Sequence, residues 1–209
     1  MDAGLLPLAD FLRLQDRFER VGPFGIAVRG RARSVLLFSR RPIRQLDGAT
    51  IAVTEETSTS VLLLRLLLEQ RYHVAPAAYQ PGRVAEADAQ LLIGDEALRV
   101  QQANTQYPYE IDVAFEWWLW QHLPFVFAVW AIRKDAAAPD KKALELALSG
   151  ALGGNLRRLD AIAREASPSL GVPAEELQAY LGSFIYRLSQ PEEDGIRRFQ
   201  ELVHEFHLL

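Results

Sequence analysis

Hydrophobic positions along the chain form two kinds of pattern, short apolar runs and longer segments with helical spacing. The apolar runs are typical of buried strands and cover residues 3–8, 25–28, 34–39, 50–53, 87–93 and 124–132. The spacing predicts helices over residues 9–18, 59–71, 112–121, 141–148, 155–166, 174–185 and 192–207. Strands alternate with helices until the last third, which is helical. This order predicts an α/β fold with a largely parallel sheet.

Two of the longer predicted strands, 34–39 and 124–132, bracket a compact central α/β unit. We therefore expect two lobes, with a first lobe of residues 1–39 plus 126–209 that also carries the C-terminal helices. The second lobe is expected to be residues 40–125. A cleft between two such lobes is a common position for a small-molecule site.

Composition excludes several classes of function. Hydrophobic residues make up 49% of the 209 residues, which is typical of a soluble globular protein. The chain has 23 basic and 27 acidic side chains, a net charge of -4, so nucleic acid is not an expected partner. There is no cysteine, which excludes disulfides and thiolate chemistry, and the four histidines lack zinc-binding spacing. We expect no metal site.

The start of the chain, MDAGLLPLADFLRL, lacks the positive segment and the apolar core of a signal peptide. Uninterrupted apolar runs are far shorter than the ~20 residues that a membrane helix needs. These features predict a cytoplasmic protein without a membrane partner.

A cluster of hydroxyl and carboxylate side chains, TEETSTS at 54–60, lies between a predicted strand and a leucine-rich helix. Helix N-termini have unpaired N–H groups and partial positive charge, so a strand-to-helix junction favours anions. Thr57 or Ser58 would cap the helix, with Thr59 and Ser60 in its first turn. A phosphate site would use glycines, which are absent here, so a carboxylate is the better candidate ligand.

Two observations keep other interpretations of this cluster open. The hydroxyls can simply cap the helix, and Glu55 and Glu56 would repel an anion unless they turn to solvent.

A second candidate site is Gly94-Asp95, which also follows a strand and precedes a helical stretch, although Asp95 could be a plain N-cap. Arg31 and Arg33 could pair with an anion, but exposed arginines are common in turns.

Five segments resemble, in order and spacing, the chorismate dehydratases of the futalosine route to menaquinone. They are SVLLFSRRP, the TEETSTS helix start, QLLIGDEAL, YEIDVAFEWWLWQHLPFVFAVW and PEEDGIRRFQELVHEFHLL. The similarity extends over almost all of the chain. It implies a periplasmic-binding-protein type 2 fold, in which two α/β lobes hold the substrate in the cleft between them.

The resemblance also implies a function, the loss of water from chorismate to give 3-[(1-carboxyvinyl)oxy]benzoate without a metal or organic cofactor. Chorismate has two carboxylates, and the hydroxyl-rich helix start suits one of them. No catalytic residue is assigned. The expected substrate-binding residues are Ser34, Thr57, Ser58, Thr59, Ser60, Gly94 and Asp95. The alternatives are a sister enzyme that forms 1,4-dihydroxy-6-naphthoate and a non-catalytic binding protein for a small carboxylate.

Members of the family begin with a strand and a Tyr-Leu-Asn-type motif that have no counterpart before Ala3. We therefore expect the first lobe to be incomplete and the true start to lie upstream, because a sheet without its leading strands would expose edges that proteins normally cover. The alternative is a shortened paralogue with an incomplete cleft, or a partial domain that acts as an interaction module.

Overall fold

The protein was analysed as a computed structural model, which describes residues 2–55, 58–82, 84 and 86–209. The strands are β1 Ala3–Pro7, β2 Phe18–Val28, β3 Val35–Ser39, β4 Thr50–Val53, β5 Ala78–Pro81, β6 Ala89–Ile93, β7 Tyr109–Asp112, β8 Phe125–Arg133 and β9 Ile185–Arg187. The α-helices are α1 Leu8–Arg13, α2 Ser58–Leu66, α3 Gly94–Ala103, α4 Val113–Gln121, α5 Ala138–Leu156, α6 Leu159–Leu170, α7 Ala174–Gly182 and α8 Gln190–Glu205. Residues Ile43–Gln45 form a 3₁₀ turn, and a π-helical turn at Leu67–Arg71 continues α2.

The first sheet has the strand order β1-β8-β2-β9, and all of its neighbouring strands are antiparallel. In its register Leu5 lies opposite Trp130, and Ala27 lies opposite Val126. The prediction of a largely parallel sheet is wrong here. The hydrophobic pattern indicates where strands occur, but their direction depends on which distant strands pair, as β8 does with both β1 and β2.

The second sheet is mixed, with the order β5-β4-β6-β3-β7. Strand β4 is parallel to β5 and β6, and the chain crosses over through a helix or a long segment between these strands, as parallel pairing requires. Strand β3 is antiparallel to β6 and β7. Residues 34–39 were expected in the first lobe, but β3 is hydrogen-bonded in this second sheet. The sheet to which β3 belongs is decided by its pairing with β6 and β7, which the local hydrophobic pattern does not indicate.

The main hydrophobic core forms around aromatic and leucine side chains from α2, α4, β8 and α8. Trp117 contacts Phe125 and Phe199 edge to face, with ring centroids 5.3 and 6.3 Å apart. Trp117 is fully buried, whereas Trp118, Trp120 and Trp130 are half-buried. This core includes the leucines of α2 and therefore fixes the position of Ser58, Thr59 and Ser60 at the start of that helix.

The C-terminal helices connect the two sheets. After β8, helices α6 and α7 pack on α3 of the second sheet through Leu98, Ala163 and Leu177, and β9 then rejoins the first sheet beside β2. The predicted helix over 174–185 instead ends at Gly182, because the chain extends to pair with β2. None of the helices in the described ranges is long and apolar enough to cross a membrane.

Candidate functional site

A cavity of about 380 Å³, here called the cleft cavity, opens between the two sheets. The first sheet contributes apolar side chains from β1, β2 and β8, and the second contributes the ends of β3 and β6 together with the starts of α2 and α3. The segment from α7 to β9 forms a third wall. The lining residues are Leu5, Pro7, Ile26, Ser34, Val35, Ser60, Ile93, Gly94, Phe127, Ala128, Tyr180, Leu181, Phe184 and Tyr186.

Ser34 lies immediately before β3 and is only 3% exposed. Its backbone carbonyl accepts a hydrogen bond of 2.7 Å from the N–H of Gly94, and its hydroxyl oxygen accepts one of 2.8 Å from the hydroxyl of Tyr180. Both ends of the residue are thus fixed, and its side chain lies at the cavity wall.

The hydroxyl cluster divides into residues that join helices and one residue that lines the cavity. The hydroxyl of Thr59 accepts a 3.0 Å hydrogen bond from the N–H of Ala9, and the hydroxyl of Ser58 donates to Asp10 at 2.7 Å. Ser60 lines the cleft cavity, and its hydroxyl has no hydrogen-bond partner among the residues that the structure describes. Thr57, the other predicted site residue of this cluster, lies outside the described residues.

The two residues of the second predicted site, Gly94 and Asp95, also differ in whether they line the cavity. Gly94 has a positive φ of 56° and lines the cavity, whereas the side chain of Asp95 is exposed and does not. The alternative that Asp95 is an N-cap is wrong, because α3 already begins at Gly94 and Ile93 occupies the N-cap position. Asp95 is therefore inside the first turn of the helix.

Two helices begin at the cavity, and their first turns differ in charge. Ser60 of α2 and Gly94 of α3 line the same space, and each helix follows one of the neighbouring parallel strands β4 and β6. Helix α2 has no acidic side chain in its described first turn, whereas α3 has Asp95 and Glu96. Unpaired N–H groups favour an anion, and the start of α2 lacks the repulsion that Asp95 and Glu96 add at α3, although the Asp10 carboxylate already bonds Ser58 there.

An aromatic wall from the C-terminal segment completes the cavity, and its residues were not among the predicted site residues. The rings of Tyr180 and Phe184 meet edge to face at 5.1 Å, and the Tyr186 hydroxyl donates to the carbonyl of Leu181 at 2.8 Å. These residues lie about 150 positions from Ser34, in or just after the helix predicted over 174–185. The spacing of three aromatic residues within 180–186 was the available signal.

Burial controls the protonation of the tyrosines in this wall. Burial raises the pKa of Tyr180, the negative charge of Asp95 raises it further, and the hydrogen bond with Ser34 acts in the opposite direction. Burial also raises the pKa of Tyr186. Both side chains are therefore neutral phenols at physiological pH, and each can donate one hydrogen bond.

A second pocket of about 340 Å³ lies on the other side of Tyr180 and contains the candidate arginines. Arg31 and Arg33 line this pocket and not the cleft cavity, and the Arg31 guanidinium stacks on the ring of Phe115 at 4.3 Å. Asp112 lines it too, but its carboxylate accepts backbone hydrogen bonds at the start of α4, so it acts as a helix cap.

No group of three or more histidine, aspartate or glutamate side chains in the described part of the chain is arranged to hold a metal ion. The polar groups of the cleft cavity are hydroxyls and helix N–H groups, which suit an anionic organic ligand.

Known structures define the class of this fold. A protein of Archaeoglobus fulgidus matches with a TM-score of 0.75 and 18% identity, covering 100% of this chain and 80% of that one. An ABC transporter protein of Parabacteroides distasonis matches with a TM-score of 0.61 and 14% identity, covering 99% of this chain and 75% of that one. A Candida albicans protein described as having the generic periplasmic-binding-protein fold matches at 0.55 and 12% identity, covering 100% and 74%. The protein therefore has a two-lobed α/β fold of the periplasmic-binding-protein kind.

Sequence comparison defines the family. Residues 1–205 match the profile of a family described as menaquinone biosynthesis. The chain is also 37% identical, over 212 aligned residues, to the chorismate dehydratase of Thermus thermophilus, an alignment that covers 92% of this chain and 76% of that protein. The chain belongs to the menaquinone biosynthesis family, which confirms the resemblance seen in its motifs.

Proposed function

We propose that the protein is a chorismate dehydratase, a carbon–oxygen lyase that forms 3-[(1-carboxyvinyl)oxy]benzoate in menaquinone biosynthesis. The observation that carries this proposal is the 37% identity, along 92% of the chain, to the Thermus thermophilus enzyme of that name. A biosynthetic role favours the cytoplasm as its location. We also propose that the substrate binds between a lobe built on the first sheet and a lobe built on the second.

The cleft cavity suits such a substrate in size and chemistry. Its volume of about 380 Å³ falls within the range of roughly 300–1,000 Å³ for small-molecule sites. Ile26, Val35 and Phe127 offer apolar contacts for the ring. Ser34, Ser60 and the start of α2 offer hydrogen-bond donors for a carboxylate.

The reaction requires orientation more than strong chemical activation. One C–H and one C–O bond of the substrate break, a proton and a hydroxide leave as water, and the ring becomes aromatic. Because aromatisation favours the product, the protein must mainly hold the substrate in a reactive geometry and assist proton transfer. We assign Ser34, Ser60 and Gly94 to substrate binding, and Ser58 and Thr59 to holding the start of α2. The expected roles of Thr57 and Asp95 in binding remain predictions.

The direct test is to incubate the purified chain with chorismate and follow 3-[(1-carboxyvinyl)oxy]benzoate by chromatography. Heat-denatured protein gives the spontaneous background. Product well above this background is expected. Calorimetric binding of chorismate without product would instead favour a non-catalytic carboxylate-binding protein, and formation of 1,4-dihydroxy-6-naphthoate from its precursor would favour the sister enzyme. The absence of both product formation and chorismate binding would overturn the proposal.

A further inference from the structure

A hydrogen-bonded pair of hydroxyls, Tyr180 and Ser34, lies in the wall of the cleft cavity. The two oxygens are 2.8 Å apart although the residues are 146 positions apart in the chain. A phenol is more acidic than an aliphatic alcohol, so Tyr180 donates and Ser34 accepts. The hydrogen of the Ser34 hydroxyl is then left over, and the described residues offer this side chain no second partner.

Helix α3 bonds Ser34 directly and shares a hydrophobic cluster with the helix that carries Tyr180. Its first residue, Gly94, donates its N–H to the carbonyl of Ser34 at 2.7 Å. One turn further on, Leu98 belongs to a buried cluster with Ala163 of α6 and Leu177 of α7, and α7 carries Tyr180. The relative position of the two hydroxyls is therefore set by a rigid element and its hydrophobic contacts, as a preorganised binding group requires.

The other polar groups of the aromatic wall do not compete for this role. The hydroxyl of Tyr186 is used by the carbonyl of Leu181 at 2.8 Å. Burial keeps Tyr180 in its neutral form, because it raises the pKa of the phenol, and the nearby carboxylate of Asp95 acts in the same direction. Tyr180 thus remains a hydrogen-bond donor over the whole physiological pH range.

We infer that Tyr180 is a positioning residue, which donates to the Ser34 hydroxyl and so directs the hydrogen of that hydroxyl toward a carboxylate of the substrate. Two hydrogen bonds in series polarise one another, so the contact from Ser34 to the carboxylate is stronger with Tyr180 than without it. The inference rests on the proposed function, since it takes chorismate as the ligand of the cleft cavity.

A double-mutant cycle tests the inference by measuring how Tyr180 and Ser34 together affect the kinetics with chorismate. Tyr180→Phe, Ser34→Ala and the double variant are compared for kcat and KM with chorismate. We expect Tyr180→Phe to raise KM about fivefold and Ser34→Ala about tenfold, with kcat changed less than about twofold. The double variant should resemble Ser34→Ala alone, because Tyr180 acts through Ser34. The matched control is Tyr79→Phe, which removes a half-buried phenol that is bonded to Glu69 and does not line this cavity.

The outcomes separate this inference from the proposed function. If Tyr180→Phe leaves KM unchanged, or raises it by the same factor with and without Ser34, Tyr180 contributes only packing and the inference is wrong, while the dehydratase proposal stands. Thermal unfolding of each variant checks for loss of structure, and a lowered melting temperature without a change in KM also indicates packing alone. A wild-type protein that neither binds nor converts chorismate would overturn both.

Discussion

The backbone N–H of Ala9 donates a 3.0 Å hydrogen bond to the hydroxyl oxygen of Thr59, which joins the start of α1 in the first sheet's layer to the start of α2. Beside it, the hydroxyl of Ser58 donates to Asp10 at 2.7 Å. The first N–H groups of a helix have no partner within the helix, so Thr59 satisfies a group that would otherwise be buried without one. Part of the hydroxyl cluster therefore stabilises the fold.

Replacing Thr59 with valine should lower stability. Valine retains the volume but removes the acceptor, so the buried N–H of Ala9 loses its partner at a cost of about 1–3 kcal/mol. Urea unfolding followed by circular dichroism would measure the change. The matched control is Thr105→Val, because Thr105 is exposed and its replacement should cost less than about 0.5 kcal/mol. Equal unfolding midpoints for Thr59→Val and wild type would contradict this role.

Replacing Ser60 with alanine should weaken substrate binding and leave the stability of the protein almost unchanged. Ser60 lines the cleft cavity, and none of the described residues bonds its hydroxyl, so stability should stay within about 0.5 kcal/mol of wild type. A hydrogen bond to a charged carboxylate is worth about 1.5–3 kcal/mol, so KM for chorismate should rise tenfold or more by this estimate. Steady-state kinetics and urea unfolding of the same preparation check both parts. An unchanged KM would show that Ser60 is only a helix residue.

Local patterns were sufficient for much of the fold. The strand predicted at 50–53 matches β4, and the helix predicted over 59–71 matches α2 with its π-helical continuation. Strands β5, β7 and β9 were missed because their short sequences, AYQP, YEID and IYR, lack the continuous apolar run that marks β4. The direction of the strands was also not predictable, since antiparallel pairing in the first sheet depends on contacts between strands far apart in the chain, such as β1 and β8.

The candidate site was predictable only where it lies next to a strand end. Ser34, Ser60 and Gly94 follow or precede strands, and all three line the cleft cavity. Asp95 is adjacent in sequence but turns to solvent, because one further residue along a helix rotates the side chain away. Tyr180 could not be predicted, since its contact with Ser34 depends on how α7 packs against α3.

Replacing Gly195 with alanine should strongly destabilise the protein. A Cβ atom at this position of α8 would lie 2.2 Å from the carbonyl oxygen of Pro124, so the helix would have to shift in the main core. Overpacking of this kind costs about 3 kcal/mol. The matched control is Gly150→Ala in exposed α5, where nothing lies within 4 Å, and which should stabilise the helix by about 0.5–1 kcal/mol. Thermal unfolding distinguishes the two, and similar melting temperatures would refute the close contact.

Alkaline pH should weaken the fold partly through Tyr72, whose hydroxyl donates to Glu116. Burial first, and then this hydrogen bond, raise the pKa of Tyr72 from its ordinary value of 10.0 to about 12. Between these two values the unfolded chain has lost the phenol proton and the folded protein keeps it, so stability falls as pH rises through this window. Urea unfolding at several pH values should show a shallower fall for Tyr72→Phe than for wild type. Tyr109→Phe, which removes an exposed phenol, is the control, and identical slopes for Tyr72→Phe and wild type would contradict the raised pKa.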